Sequence, residues 1–194
     1  MDKHFQLLST YLQSSFNLSS ASTVDFLPHW EYFECARKVI LTDIGERENY
    51  LYFVIEGVQR IYLLNPDGRE ATLIFTYAPS FGGVLDAMMT EQPSKFCYET
   101  LTPSSFLRIP VREVKKLMVN NTEISQMVNL GVSAALSGVL DRLAEIQLLS
   151  SEDKFKQLLS RSPHILTLVP HKYLASYLGI DPTNFSKLIN RVKI

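Results

Sequence analysis

From Pro182 to its end the chain offers hydrogen-bonding groups and cations but no Asp or Glu. Thr183, Asn184, Ser186, Lys187, Asn190, Arg191 and Lys193 alternate there with Phe185, Leu188, Ile189 and Val192. On a helix of about 3.6 residues per turn the four apolar side chains fall within about 100° of arc. Thr183, Lys187 and Asn190 then lie opposite them, with Asn184, Ser186 and Arg191 on the flanks. Such a face suits a polyanion. Thr183, Asn184, Ser186 and Lys187, near the start of the helix, are candidates for base edges, while Asn190, Arg191 and Lys193 are candidates for phosphates. A merely solvated helix face usually mixes both signs of charge, and this one does not. The charge balance agrees: residues 151–194 hold seven Lys/Arg against three Asp/Glu, whereas residues 1–150 hold 12 against 17.

The residues just before this face supply what would position it. In VPHKYLASYLGIDPTNF, Leu174 and Leu178 face inward from a first helix, and Ala175 is small where a second helix crosses it. Gly179 allows a sharp turn, Ile180 plugs the corner, Asp181 is a natural N-cap and Pro182 a natural first helical residue. Two helices crossed at a tight turn, with a basic outer face on the second, form a helix-turn-helix directed at double-stranded DNA. The competing reading is an inert helical cap on a stand-alone small-molecule-binding module.

A second stretch with chemical potential is SFGGVLDAMMTEQPSKFCY, residues 80–98. Paired glycines open a short helix whose first backbone N–H groups could receive an anion, and a Gln-Pro-Ser-Lys turn follows. Phe81, Gly82, Gly83, Val84, Ser94 and Lys95 are therefore candidates for an effector pocket. Metal and redox chemistry is disfavoured. Cys35 and Cys97 are too few for a disulfide framework, and His4, His29, His164 and His171 all fall outside the strand-rich region, so a metal-dependent barrel enzyme lacks its ligands. No catalytic residue, metal or cofactor is expected.

The surrounding elements are legible from period and turn chemistry. Phe5, Leu8, Tyr11, Leu12 and Phe16 give an amphipathic helix over residues 2–16. From about residue 37 to 110, β-branched and aromatic segments such as LYFVIEGVQRIYLL, REATLIFTY and SFLRIPV are separated by turn signals, with Asn65-Pro66-Asp67-Gly68 as a hairpin tip. These predict an antiparallel β-barrel or jelly roll, followed by a short helix over 111–118. Val132, Leu136, Val139, Leu143 and Ile146 then recur at spacings of 4, 3, 4 and 3 on a helix of about 20 residues. That seam suits a homodimer; packing on the chain's own strands is the competing reading. The fold class is α+β, with a sensor domain at 1–126, a dimerisation helix at 127–150 and a helix-turn-helix domain at 151–194. No apolar run reaches membrane-span length and the N-terminus lacks a signal-peptide pattern, so a cytoplasmic location is expected.

This order of parts resembles the cyclic-AMP receptor and fumarate-nitrate regulator (Crp/Fnr) superfamily of bacterial transcription factors. The resemblance rests on GERENYLYFVIEG (Gly45 to Gly57), the Ser-Phe-Gly loop at 80–82, the apolar-seamed helix and the terminal helix-turn-helix. It implies a cyclic-nucleotide-binding-like sensor, a homodimer on an inverted-repeat operator, a small-molecule effector and contact with RNA polymerase. It also implies a departure. Cyclic-AMP-binding members follow Phe-Gly with a Glu for the ribose and place an Arg after the Pro for the phosphate. Here Gly83 and Ser94 stand in those places, so cyclic AMP is not expected to bind tightly.

Overall fold

The computed structural model describes residues 2–191. Helix α1 (Lys3–Phe16) forms as its pattern requires, with Asp2 accepting the His4 amide at its start and Leu8 and Leu12 buried. Helix α2 (Ser20–Phe26) follows. Eight strands come next: β1 (Glu31–Cys35), β2 (Ile40–Thr42), β3 (Tyr50–Glu56), β4 (Val58–Leu64), β5 (Glu70–Tyr77), β6 (Ser80–Gly82), β7 (Cys97–Thr100) and β8 (Ser104–Pro110), with helix α3 (Leu85–Thr90) between β6 and β7.

The strands form two four-stranded antiparallel sheets, ordered β1-β8-β3-β6 and β2-β7-β4-β5. The jelly-roll expectation holds and the closed-barrel alternative does not, because the strands divide into two open sheets packed face to face. Tyr52, Val54, Ile61, Val84, Ala87, Tyr98 and Phe106 fill the space between them. Strand β3 lacks polar alternation for a physical reason: Tyr52 and Val54 point between the sheets, while Leu51 and Phe53 point outward into a second core made with α1, α2 and the helices after β8. The hairpin tip falls where the turn residues place it, Gly68 at φ 77° and the Asn65 side chain accepting the Arg69 amide at 2.7 Å.

After β8 come α4 (Val111–Asn120) and α5 (Thr122–Leu148). At 27 residues α5 is longer than the 20 expected and starts before residue 127, because the Asn121 side chain caps the Glu123 and Ile124 amides and launches the helix early. Its first turns, through Ile124, Met127 and Val128, are buried against the outer face of the first sheet. The C-terminal head consists of α6 (Ser151–Arg161), α7 (Ile165–Leu168), α8 (His171–Leu178) and α9 (Pro182–Arg191), around a core of Phe155, Leu158, Leu159, Ile165, Leu174, Leu178 and Phe185 that also takes in Val58 of β4 and Leu101, just after β7. Among the described residues no helix is long and apolar enough to cross a membrane.

Candidate nucleic-acid interface and sensor core

The head presents α9 as its sequence requires. Leu174, Ala175 and Leu178 are buried on α8, Gly179 ends that helix at φ 62° in the left-handed region, and buried Ile180 fills the corner. The Asp181 carboxylate accepts the amides of Thr183 at 2.9 Å and Asn184 at 3.2 Å, which fixes the first turn of α9. Phe185 is 1% exposed and packs edge-on against Phe155, with ring centroids 5.4 Å apart. The helix is therefore anchored by one buried aromatic, and its remaining faces are set by that anchor. Thr183, Asn184, Ser186, Lys187, Asn190 and Arg191 are all exposed. Lys193, the seventh candidate, and Val192, the fourth apolar residue of that helix pattern, lie outside the described residues.

The seam on α5 divides in two. Val132 is half-buried and packs against the chain's own first-sheet core. Leu136, Val139, Leu143 and Ile146 are exposed by 40–58%, and Leu140, which the seam omits, joins them at 55%. Four of the five seam positions thus have no intrachain core to cover them.

The SFGG stretch does not gather its six candidates around one space. The Phe81 ring turns to the outer core, 5.7 Å from Tyr11 and 5.6 Å from Phe53 by centroid, whereas Val84 turns inward between the sheets. Ser94 is 3% exposed, its hydroxyl donating to the Phe96 carbonyl at 2.7 Å, and Lys95 is exposed. Gly83 adopts φ 118°, and a Cβ there would lie 3.3 Å from the Tyr50 carbonyl oxygen and 3.4 Å from Glu48 Oε2. Gly82 is closer still to its neighbour: a Cβ would stand 2.1 Å from the Tyr98 hydroxyl. Tyr98 is fully buried and its hydroxyl lies 3.1 Å from Thr76 Oγ1, which in turn donates to Gln59 Oε1 at 2.9 Å, while Gln59 Nε2 donates to Ser104 Oγ at 3.0 Å. Aromatic rings and a chain of side-chain hydrogen bonds occupy the region beside Gly82.

Two residues that the sequence did not single out dominate the electrostatics. Glu48, 5% exposed, brings a carboxylate to the start of α3, where Oε2 accepts the Val84 amide at 2.8 Å and the Thr42 hydroxyl at 2.9 Å. The Val84 N–H expected to be available to an anion is thus already used. Burial pushes the Glu48 carboxyl up to about 7, against the lowering influence of those hydrogen bonds. Arg60, on β4, is 1% exposed and pairs with Glu70 and Glu99, each at 2.8 Å. Burial alone would lower its pKa, but the two carboxylates more than offset that and hold the guanidinium charged. In the sequence Arg60 reads as one polar residue in a strand, and Glu48 as one loop carboxylate. Nothing local marks either as buried.

Comparisons with known proteins agree with this architecture. Residues 34–121 match the cyclic nucleotide-binding domain family. The global nitrogen regulator of Nostoc sp. is 25% identical over 140 residues, which are 72% of this chain but only 60% of that protein. The fold matches that of FixK2 from Bradyrhizobium japonicum, with a TM-score of 0.75 at 13% identity over 84% of this chain and 83% of the other. A Eubacterium rectale protein assigned to the Crp/Fnr family of transcriptional regulators matches with a TM-score of 0.72 at 19% identity, over 93% of this chain and 86% of the other. The chain thus carries a cyclic nucleotide-binding domain at residues 34–121 within the fold of the Crp/Fnr regulators.

Proposed function

We propose that the chain is a sequence-specific DNA-binding transcriptional regulator of the Crp/Fnr type. One observation carries this reading: six donor or cationic side chains of α9 share an exposed face that contains no carboxylate, on a helix held by a buried anchor and a capped first turn. A recognition helix needs those three properties to enter a major groove in a fixed register. The working unit is a homodimer through Leu136, Val139, Leu143 and Ile146, because their exposed apolar stripe recurs at about the 3.5-residue spacing that two helices share when they pack. Two-fold symmetry then directs the pair to an inverted repeat with half-sites about 10 base pairs apart.

Residues 1–126 are the sensor, 127–150 carry dimerisation and 151–194 bind DNA, in the cytoplasm. The sensor works without cyclic AMP, because Gly83 and Ser94 replace the charged anchors and Tyr98 packs against Gly82. Its regulation comes from another small molecule, from a partner or from the abundance of the chain itself, and RNA polymerase is a further candidate partner. Among the described residues no group of three or more His, Cys, Asp or Glu is placed to hold a metal ion. The test is selection of genomic fragments by the purified chain. Enrichment of an inverted repeat is expected, and enrichment no greater than that of a chain truncated before residue 151 defeats the reading.

A further inference from the structure

The outward face of the second sheet is covered by the head. Along β4, Gln59 and Ile61 point between the sheets, so Val58, Arg60 and Tyr62 point outward, and Val58 belongs to the core of the head. Above Arg60 stands Tyr173 of α8. The guanidinium carbon is 3.8 Å from the Tyr173 ring centroid and 3.9 Å from that of Tyr62, so one ring from the head and one from the sheet share a single buried cation. Next along α8, Ser176 Oγ accepts the Thr72 amide at 3.0 Å and donates to the Glu70 carbonyl at 3.3 Å. The Tyr177 ring lies 5.0 Å from that of Phe75. Positions 173, 176 and 177 form one face of α8, and all of it rests on β4 and β5.

The long helix grips the same element. Arg142 donates to the Tyr177 carbonyl and pairs with Glu145, which also binds Arg161 of α6. Yet the covalent connection from α5 to α6 is only Leu149 and Ser150. Two residues contribute four soft dihedrals, enough to let the head swing, and the contacts of α8 remove that freedom.

We infer that Arg60 and Tyr173 are positioning residues for operator geometry: by fixing each head on its own sensor they set the one half-site spacing that a dimer accepts. The inference rests on the DNA-binding reading above. Adding one base pair to the centre of an operator moves one half-site by about 3.4 Å and turns it by about 35°. A head clamped to its sheet cannot follow that displacement, whereas a released head can.

The experiment takes the inverted repeat selected by the unmutated chain and varies its central spacer by up to two base pairs in each direction. The unmutated chain is expected to lose about tenfold in affinity for each single-pair change. Tyr173→Ala leaves Arg60 paired with its two carboxylates on the outward face of the sheet and removes the ring of the head; it should flatten the spacing profile to within about threefold while selecting the same half-site sequence. Tyr173→Phe keeps the ring and should retain the sharp profile. Ser176→Ala, which removes only the hydrogen bonds to Thr72 and Glu70, should broaden the profile partway, and it carries the test if Tyr173→Ala does not fold. A folded Tyr173→Ala chain with the original profile overturns the inference, as does an unmutated chain indifferent to spacing. Failure of the unmutated chain to select any repeat defeats the DNA-binding reading itself, and this inference with it.

Discussion

Glu48 Oε2 accepts the backbone N–H of Val84 at 2.8 Å, so a carboxylate from the loop before β3 closes the start of α3 from inside the protein. The group is buried and its pKa is raised from the usual carboxylate value to about 7. A raised carboxyl pKa means that the folded state holds its proton where the unfolded state has released it, so stability falls as pH climbs from about 4.5 to about 7. Denaturant unfolding between pH 5 and 8 should show a loss on the order of 3 kcal/mol with rising pH. Glu48→Gln should flatten that slope, and an unchanged slope in the variant would remove Glu48 as its origin.

On α9, Lys187 and Arg191 should separate sequence reading from general attraction. Lys187→Ala is expected to relax preference at one base position and to cost about 1–3 kcal/mol on the best site. Arg191→Ala should weaken all sequences alike and reduce the salt dependence of binding. A randomised-site selection with each variant measures both. Unchanged selectivity in the Lys187 variant sinks its assignment.

Leu143, half-exposed on α5, tests the dimer without touching the fold of the single chain. Leu143→Asp places a charge where two copies are proposed to meet, and breaks association because a desolvated carboxylate has no partner there. Sedimentation should show a dimer for the unmutated chain at micromolar concentration and a monomer for the variant. Tight operator binding should disappear with the dimer.

Cyclic AMP and cyclic GMP should give no tight binding in a calorimetric titration. Each lost charge-assisted contact is worth roughly 1.5–3 kcal/mol, so two together weaken binding about a hundredfold or more. A submicromolar dissociation constant for either nucleotide would show that the anchors have been replaced from elsewhere. Gly82→Ala adds a check on packing: its methyl group would meet the Tyr98 hydroxyl at 2.1 Å and should cost about 1–3 kcal/mol in stability.

The parts of the fold written in local chemistry were legible. Gly179, Asp181 and Pro182 specify the turn between α8 and α9 within four residues, and Asn65 to Gly68 specify the hairpin tip in the same way. The choice between barrel and jelly roll was not legible, because alternation along a strand says which residues pair with a core and not whether the last strand meets the first. The early start of α5 was missed because the cap at Asn121 sits before the apolar seam begins. Arg60 and Glu48 were invisible for a different reason. Arg60 owes its burial to Glu70 across the β4–β5 hairpin and to the more distant Glu99 and Tyr173, and Glu48 owes much of its own to Val84, so no short window around either residue records the environment.

The exposed stripe of Leu136, Val139, Leu140, Leu143 and Ile146 also bears on gene dosage. In the proposed dimer the species that reads an operator forms by mass action, so well below the association midpoint its concentration rises as the square of the chain's copy number. Doubling synthesis would then raise promoter occupancy about fourfold, and a promoter could respond steeply to expression level with no small molecule in the circuit.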